Sequence, residues 1–196
     1  MQFPLIGGHP AIDFLNTSFT PQDQVVEAIG SGRDFLDWLV ATGLIEPSVA
    51  PQLMKRFGAK ALDKTAQDAR KLREWTRAWL LKWRSTPEAN YQDEIAKLNK
   101  WLSGAAAHHE LVPREDGLRL VERTKIDGPE ALLTLVALQV AGLLTQEQPS
   151  LIKSCAGAQC SLWFVDRTKA HRRVFCSATA CGNRAKVAAF RQRQKE

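Results

Sequence analysis

The sequence of 196 residues lacks an apolar run long enough to cross a membrane. Its most apolar stretch, ALLTLVALQVAGLL at residues 131–144, is shorter than the roughly 20 residues that a transmembrane helix needs, and Thr134 and Gln139 interrupt it. The first residues, MQFPLIGGHPAIDF, also lack the basic region and following apolar segment of a secretory signal. We therefore expect a cytoplasmic protein that has no membrane partner.

The sequence also has few of the features that enzymes need. Residues 7–10, Gly-Gly-His-Pro, lack the glycine and lysine pattern of a nucleotide-phosphate loop. No cysteine lies outside residues 155–181, so none is left as a nucleophile if those four bind a metal. His108 and His109 are adjacent, and neighbours on a strand point to opposite faces, which makes them poor candidates for a shared metal. We expect that the protein is not an enzyme.

What the sequence does contain is a cluster of four cysteines near its end. They form two pairs, Cys155-x4-Cys160 and Cys176-x4-Cys181, with fifteen residues between the pairs. Zinc takes four soft ligands in a tetrahedron, and two such pairs on two short turns can supply them. The alternatives are two disulfides, which require an oxidising compartment, or four unconnected buried thiols. We interpret the pattern as a structural zinc site.

The residues around the second pair predict the rest of a small finger. SLWFVD at 161–166 predicts a strand with Leu162 and Phe164 on one face and Trp163 and Val165 on the other, and RRVF at 172–175 predicts its hairpin partner. The residues after Cys181 predict a helix. Its apolar residues, Val187 and Phe190, are expected to pack on the hairpin around Phe164. This order of knuckle, hairpin and helix is typical of a treble-clef finger, and zinc would stabilise a segment too short to fold alone.

The longer N-terminal part predicts a mostly helical domain with one β-hairpin. Apolar periodicity and capping residues predict helices at about 33–43, 48–57, 60–84, 91–102 and 130–144. Residues 109–114 and 118–125 predict the hairpin, with Glu115–Gly117 as its turn. The expected fold is therefore α+β, with an N-terminal domain at 1–150 and a small treble-clef-like zinc finger at 151–196.

Asp13 and Asn16 are three residues apart on the first predicted helix and share a face. One interpretation is a local hydrogen-bonded pair that holds the helix against its loop. The other is a polar corner that lines a pocket for a small-molecule effector. Both interpretations stay open from the sequence alone.

The formal net charge of +6 is unevenly distributed. Residues 152–196 contain ten lysines and arginines against Asp166 and Glu196, which is +8, whereas residues 1–151 contain seventeen against nineteen acids, which is −2. Four thiolates with one Zn²⁺ would leave about +6 on the finger. A basic module on a near-neutral body is expected for a protein that binds a polyanion, although a basic terminus can also be merely solvated.

The predicted final helix places cations on both sides of its apolar face. This arrangement suits a helix that lies across or into a DNA groove with phosphates on either side. The candidate nucleic-acid contacts are Arg172, Arg173, Arg184, Lys186, Arg191 and Arg193. Arg184 is the best candidate for a guanine edge. Its alternative role is structural, since Arg184 or Arg167 would be able to pair with Asp166.

Two segments resemble known families. CSATACGNRAK at 176–186, preceded by FVDR at 164–167, closely resembles the CGNR zinc-finger family, and GGHPAIDFLNT at 7–17 resembles the start of the ABATE domain that precedes this finger. Together the resemblance covers the whole chain and is most specific at these two segments. It implies a bacterial, stress-induced transcription regulator with DNA as its partner.

We therefore expect a DNA-binding transcription regulator whose finger is held by zinc at Cys155, Cys160, Cys176 and Cys181. The N-terminal domain would sense a small-molecule effector or mediate homodimerisation. The alternative is a zinc-stabilised module that binds a protein or RNA without reading DNA sequence.

Overall fold

The computed structural model describes residues 3–20, 24–104, 106–114 and 117–194. Most of the described chain is helical. The helices are α1 (Pro10–Leu15), α2 (Gly32–Ala41), α3 (Val49–Phe57), α4 (Ala59–Ser85), α5 (Gln92–Leu102), α6 (Ala131–Gln146) and α7 (Asn183–Arg193). A single 3-10 turn at Pro149–Leu151 and a π-helical turn at Ala178–Gly182 complete the helical elements that are described. These helices confirm the predicted α-rich character of the chain.

The strands in the described part of the chain form three separate antiparallel pairs. The first pair joins β1 (Ser18–Phe19) to β2 (Val26–Glu27), and the third joins β5 (Ile152–Ser154) to β6 (Trp163–Val165). The second is the predicted hairpin, in which β3 (Ala107–Arg114) pairs with β4 (Gly117–Thr124) in a register that sets Arg114 opposite Gly117. The predicted turn includes residues 115 and 116, which lie outside the described residues. The α+β class is confirmed.

Local signals in the sequence begin and end several helices. Ser31 caps α2 in a capping box, because its hydroxyl accepts from the Asp34 amide while the Asp34 carboxylate accepts from the Ser31 amide. Pro10 begins α1 at a position that needs no N–H, and His9 accepts from the Ala11 amide there. Gly58, with φ of 76°, ends α3 and leads directly into α4.

The core of the N-terminal part is built around α6. Leu132, Val136, Ala137, Val140 and Leu143 on this helix are completely buried. The helix contacts α1, α4 and α5, so it is surrounded on most of its circumference. This surrounding explains why the sequence of α6 is apolar on nearly all sides.

A buried arginine joins α4 to the first strand pair. The side chain of Arg73 is 3% exposed, and its guanidinium bonds both carboxylate oxygens of Glu27, at 2.8 and 2.5 Å. It also donates to the Thr17 hydroxyl at 2.9 Å. The paired, bidentate geometry satisfies a charge that would otherwise be costly to bury. The helical pattern of α4 did not distinguish Arg73 from the exposed cations around it.

The predicted pairing within the finger is wrong. Residues 172–175 are not a strand, and β6 pairs instead with β5, which precedes the first cysteine. The reason is that both edges of β6 are already bonded. One edge faces β5, and on the other the Val165 amide donates to the Gly7 carbonyl at 2.8 Å while both backbone groups of Trp163 bond Asn16.

The two faces of β6 were predicted correctly, and they join the two parts of the chain. Trp163 and Val165 pack in the core that includes α1, α4 and α6, whereas Phe164 packs beside the four cysteines together with Leu162. The division at residues 150 and 151 stays a prediction. The contacts show that the finger completes the core of the N-terminal part.

Candidate metal centre and nucleic-acid interface

The four cysteine sulfurs converge at one point in the finger. All four Sγ atoms lie within 4.8 Å of one another, with 3.7 Å between Cys160 and Cys176 and 3.5 Å between Cys176 and Cys181. Sulfurs at the corners of a tetrahedron with Zn–S bonds of about 2.3 Å would be about 3.8 Å apart. The spacing therefore fits a tetrahedral zinc site, and all four thiols are free of disulfides.

Burial makes these thiols hard to ionise individually. Burial raises the pKa of Cys160 to about 11, and it also raises the pKa of Cys176. At Cys155 burial acts in the same direction, but amide N–H groups of Cys176 and Gly157 point at its sulfur and lower the pKa overall. A divalent cation displaces the protons of such a cluster and compensates the thiolates, so zinc fits this donor set.

Arg184 contacts the metal centre directly. One of its guanidinium nitrogens donates to the Cys181 sulfur at 3.1 Å, and this contact raises the pKa of Arg184 above its ordinary value. Arg184 therefore does not make the alternative pairing with Asp166. A cation beside Cys181 partly balances the charge of a four-thiolate zinc site, which carries a formal charge of −2.

Asp166 is the polar centre of the finger. It is completely buried and accepts from the Lys153 ammonium at 2.6 Å, from Thr168 through both its amide and its hydroxyl, and from the Arg173 amide. Desolvation opposes its ionisation, but these hydrogen bonds outweigh it and hold the pKa of Asp166 well below its usual range. Lys153 also donates to the His171 carbonyl at 2.7 Å, so this one carboxylate organises the loop between the cysteine pairs.

Arg167 does not pair with Asp166 either. Its guanidinium donates to the Gly8 carbonyl at 3.2 Å and to the Glu147 carboxylate at 2.5 Å. Both partners belong to the N-terminal part, so Arg167 ties the finger to the body. The sequence analysis included Lys153 only in the charge count and missed its ion pair with Asp166. The signal that could have shown this pair was Asp166 itself, an acidic residue at the end of an apolar strand.

Among the six predicted nucleic-acid residues, Arg173 is used inside the finger. It donates to the carbonyls of Phe175 and Cys176, and its guanidinium lies over the Phe164 ring at 4.1 Å from the centroid. These contacts hold the chain that leads into Cys176. Arg173 is thus placed as a structural residue, unlike its exposed neighbour Arg172.

The final helix is largely exposed. It has no buried residue, and its side chains Lys186, Arg191 and Arg193 all face solvent. The predicted packing of Val187 and Phe190 around Phe164 is wrong, since these two side chains are 48% and 55% exposed. The space beside Phe164 is filled by Cys155, Cys176, Cys181 and the residues packed on them, and neither Val187 nor Phe190 is among these.

Asp13 and Asn16 both make hydrogen bonds to backbone. Asp13 accepts from the Gly7 amide at 2.7 Å, and burial raises its pKa to about 6. Asn16 is 1% exposed, donates to the Trp163 carbonyl at 2.9 Å and accepts from the Trp163 amide at 2.8 Å. The bond of Asp13 supports the interpretation that the helix is held against its loop, whereas Asn16 bonds the finger instead of forming a local pair with Asp13. A pocket at this corner remains a prediction.

The fold and the site together define an α+β protein that ends in a four-cysteine zinc finger. A family model described as "Putative stress-induced transcription regulator", ABATE, matches residues 8–147, and a model of the CGNR zinc finger matches residues 152–194. The chain belongs to the ABATE family and carries a CGNR zinc finger, as its sequence resemblance predicted. A search of curated proteins finds no match. Within the part of the chain that the structure describes, no helix has the length and apolarity of a membrane span.

Replacing one cysteine tests the metal centre. We expect the wild-type protein to carry a single zinc ion and Cys176→Ala to lose it, because three thiols leave the site open to water and chelators. Native mass spectrometry and metal analysis after mild chelation would measure this. Ser150→Ala, an exposed position outside both cysteine pairs, is the matched control and should retain zinc. Zinc retention by Cys176→Ala would contradict the assignment.

Replacing Asn16 tests the link between finger and body. Asn16→Ala leaves a buried N–H and a buried carbonyl of Trp163 without partners, so we expect the free energy of unfolding to fall by about 2 to 4 kcal/mol. Urea unfolding followed by tryptophan fluorescence would measure it. Asn99→Ala, on the exposed face of α5, should change this free energy by less than about 0.5 kcal/mol. Similar effects of both changes would count against the link.

The raised pKa of Asp13 predicts a pH effect of definite sign. The pKa of Asp13 is about 6 in the folded protein and about 4 in the unfolded chain. Because the unfolded chain releases this proton more readily, the free energy of unfolding falls as pH rises from about 4 to about 6. Asp13→Asn removes this loss, so the stability of the variant relative to wild type should increase from pH 4 to pH 7. Urea unfolding at both pH values would test it, and a relative stability independent of pH would refute the effect.

Proposed function

We propose that the protein is a transcription regulator that binds DNA through α7 and Arg172 of its zinc finger. The observation that carries the proposal is the position of α7, which directly follows the π-helical turn that contains the metal ligand Cys181 and has no buried residue. A helix fixed at one end by a metal and covered with cations suits a DNA groove. The ABATE family description supports the same role.

The exposed residues would divide the task of binding. Lys186, Arg191 and Arg193 would neutralise phosphates and provide affinity without reading sequence. Val187 and Phe190 would contact sugars or thymine methyl groups from the same helix. Arg184 has one donor on the Cys181 sulfur, and its remaining N–H groups are available for a guanine edge.

The proposal includes a role for the N-terminal part as ligand sensor or dimerisation unit. A single finger offers little contact area, so a homodimer would increase affinity through two linked contacts. We also propose a non-enzymatic role in the cytoplasm, where thiols stay reduced and all four cysteines are available to zinc.

A second candidate function is docking to a protein, and the exposure of Val187 and Phe190 favours it. Large apolar side chains at 48% and 55% exposure are more typical of a protein interface than of a purely electrostatic contact. The two candidates differ in their response to salt, since phosphate contacts weaken steeply as salt increases.

Charge-neutralising variants on α7 test DNA binding. We expect the triple variant Lys186→Gln, Arg191→Gln, Arg193→Gln to bind labelled random duplex more weakly and to reduce the slope of log affinity against log salt by up to about 2.7, or about 0.9 for each phosphate contact. Fluorescence anisotropy at several salt concentrations would measure both. Glutamine keeps helix propensity, so the finger should retain zinc.

The matched control removes three exposed lysines from the body, as Lys60→Gln, Lys71→Gln, Lys100→Gln. It has the same net charge as the α7 variant and should bind nearly as wild type does. Equal losses in both variants, or no binding by zinc-loaded wild type at low salt, would contradict the proposal. Truncation before the finger is a poor control, because Ile152, Trp163 and Val165 belong to the core of the body.

A further inference from the structure

A groove with an apolar floor lies between α2 and α3, far along the chain from the finger. Its volume is about 450 Å³, which falls within the range of small-molecule sites in proteins. The floor includes Leu36 and Val40 from α2 and Ala50 and Met54 from α3. These residues recur at intervals of four, so each helix presents one continuous apolar face to the groove.

Two cations that pair with no described residue line the same groove. Neither Arg33 nor Lys55 makes a hydrogen bond or ion pair with any described residue, although both are exposed beside the apolar floor. The neighbouring Arg56 differs, since it donates to the carbonyls of Ile126 and Asp127 and thereby holds the loop before α6. Arg33 and Lys55 are therefore the cations that remain available to a bound molecule.

The positions of these cations place them near one end of the groove. Arg33 lies in the first turn of α2 and Lys55 in the last turn of α3, and only residues 42–48 connect the two helices. The groove is lined by Val40 and Pro47 beside this connection and by Arg33 and Lys55 at the far ends of the two helices, as in an antiparallel helical hairpin. From Arg33 to Val40 the floor then extends about 10 Å along α2, at 1.5 Å per residue.

We propose that this groove binds a small amphipathic monocarboxylate. Its carboxylate would lie between Arg33 and Lys55, and its apolar tail would cover Leu36, Val40 and Met54. Guanidinium and ammonium groups at one end of an apolar floor complement this class of ligand in both charge and polarity. Asp37 also lines the groove, one helical turn from Arg33, and has no ion pair with a described residue, so it would repel a ligand that carries more than one carboxylate.

This inference extends the sensing role proposed above, because a ligand that joins α2 to α3 would act on the N-terminal part. It differs from the predicted pocket at Asp13 and Asn16, whose polar atoms bond backbone. Its test uses no DNA, so failure of the groove and failure of DNA binding would be seen in separate experiments.

Met54 is a specific reporter of the groove. The sequence has two methionines, Met1 and Met54, so methyl-¹³C methionine labelling of the full zinc-loaded chain gives two signals, and Met54→Leu assigns them. Decanoate is the probe, and decyltrimethylammonium is the control with the same chain length and opposite charge. We expect a saturable shift of the Met54 signal with decanoate, below the concentration at which it forms micelles, and a much weaker response to the cation.

The cation variants decide where the carboxylate binds. Arg33→Gln with Lys55→Gln should weaken decanoate binding about fivefold, as expected for two exposed ion pairs, while Lys60→Gln should leave it unchanged. The absence of a Met54 shift, an equal response to both amphiphiles, or equal affinity in the double variant would each overturn the proposal. Binding of an acidic amphipathic peptide in place of decanoate would overturn it in favour of a protein-docking groove.

Discussion

The three residues of β6 are the constraint on which the structure depends, because all four sides of this strand are occupied. On one edge its backbone pairs with β5, and on the other edge it bonds the Gly7 carbonyl and the Asn16 side chain. Alternate side chains then pack into two different cores, with Phe164 beside the cysteines and its neighbours beside α1 and α6. Successive side chains of a strand point to opposite faces, and its backbone groups point to opposite edges. Three residues can therefore contact two cores and two backbone partners.

This arrangement makes the metal centre part of the fold of the whole chain. The four cysteines that would hold zinc pack around Phe164, and the ion pair of Asp166 with Lys153 holds the loop between the two cysteine pairs. The same strand inserts Trp163 into the core of the N-terminal part, and Arg84 of α4 lies over its ring at 5.0 Å from the centroid. Loss of the metal would therefore release apolar surface on both sides, which links zinc binding to the stability of the body.

The cations of the finger fall into two groups with different roles. Lys153, Arg167 and Arg173 hold the finger together or tie it to the body through carboxylates and carbonyls. Lys186, Arg191 and Arg193 on α7 project into solvent. A charge count cannot separate these two groups. A cation paired with a buried carboxylate and a cation exposed to solvent each add one positive charge to the count.

The sequence by itself determined the features that depend on local spacing. Helical periodicity predicted α2 to α6, alternation predicted both faces of β6, and the paired cysteines predicted the metal centre, because each of these signals lies within a few neighbouring residues. Only the tertiary structure decided the rest. The partner of β6, the use of Arg173 inside the finger and the exposure of Phe190 all depend on which segments meet across the chain. Asn16 and Trp163 are 147 residues apart, and nothing in either segment alone shows that they bond.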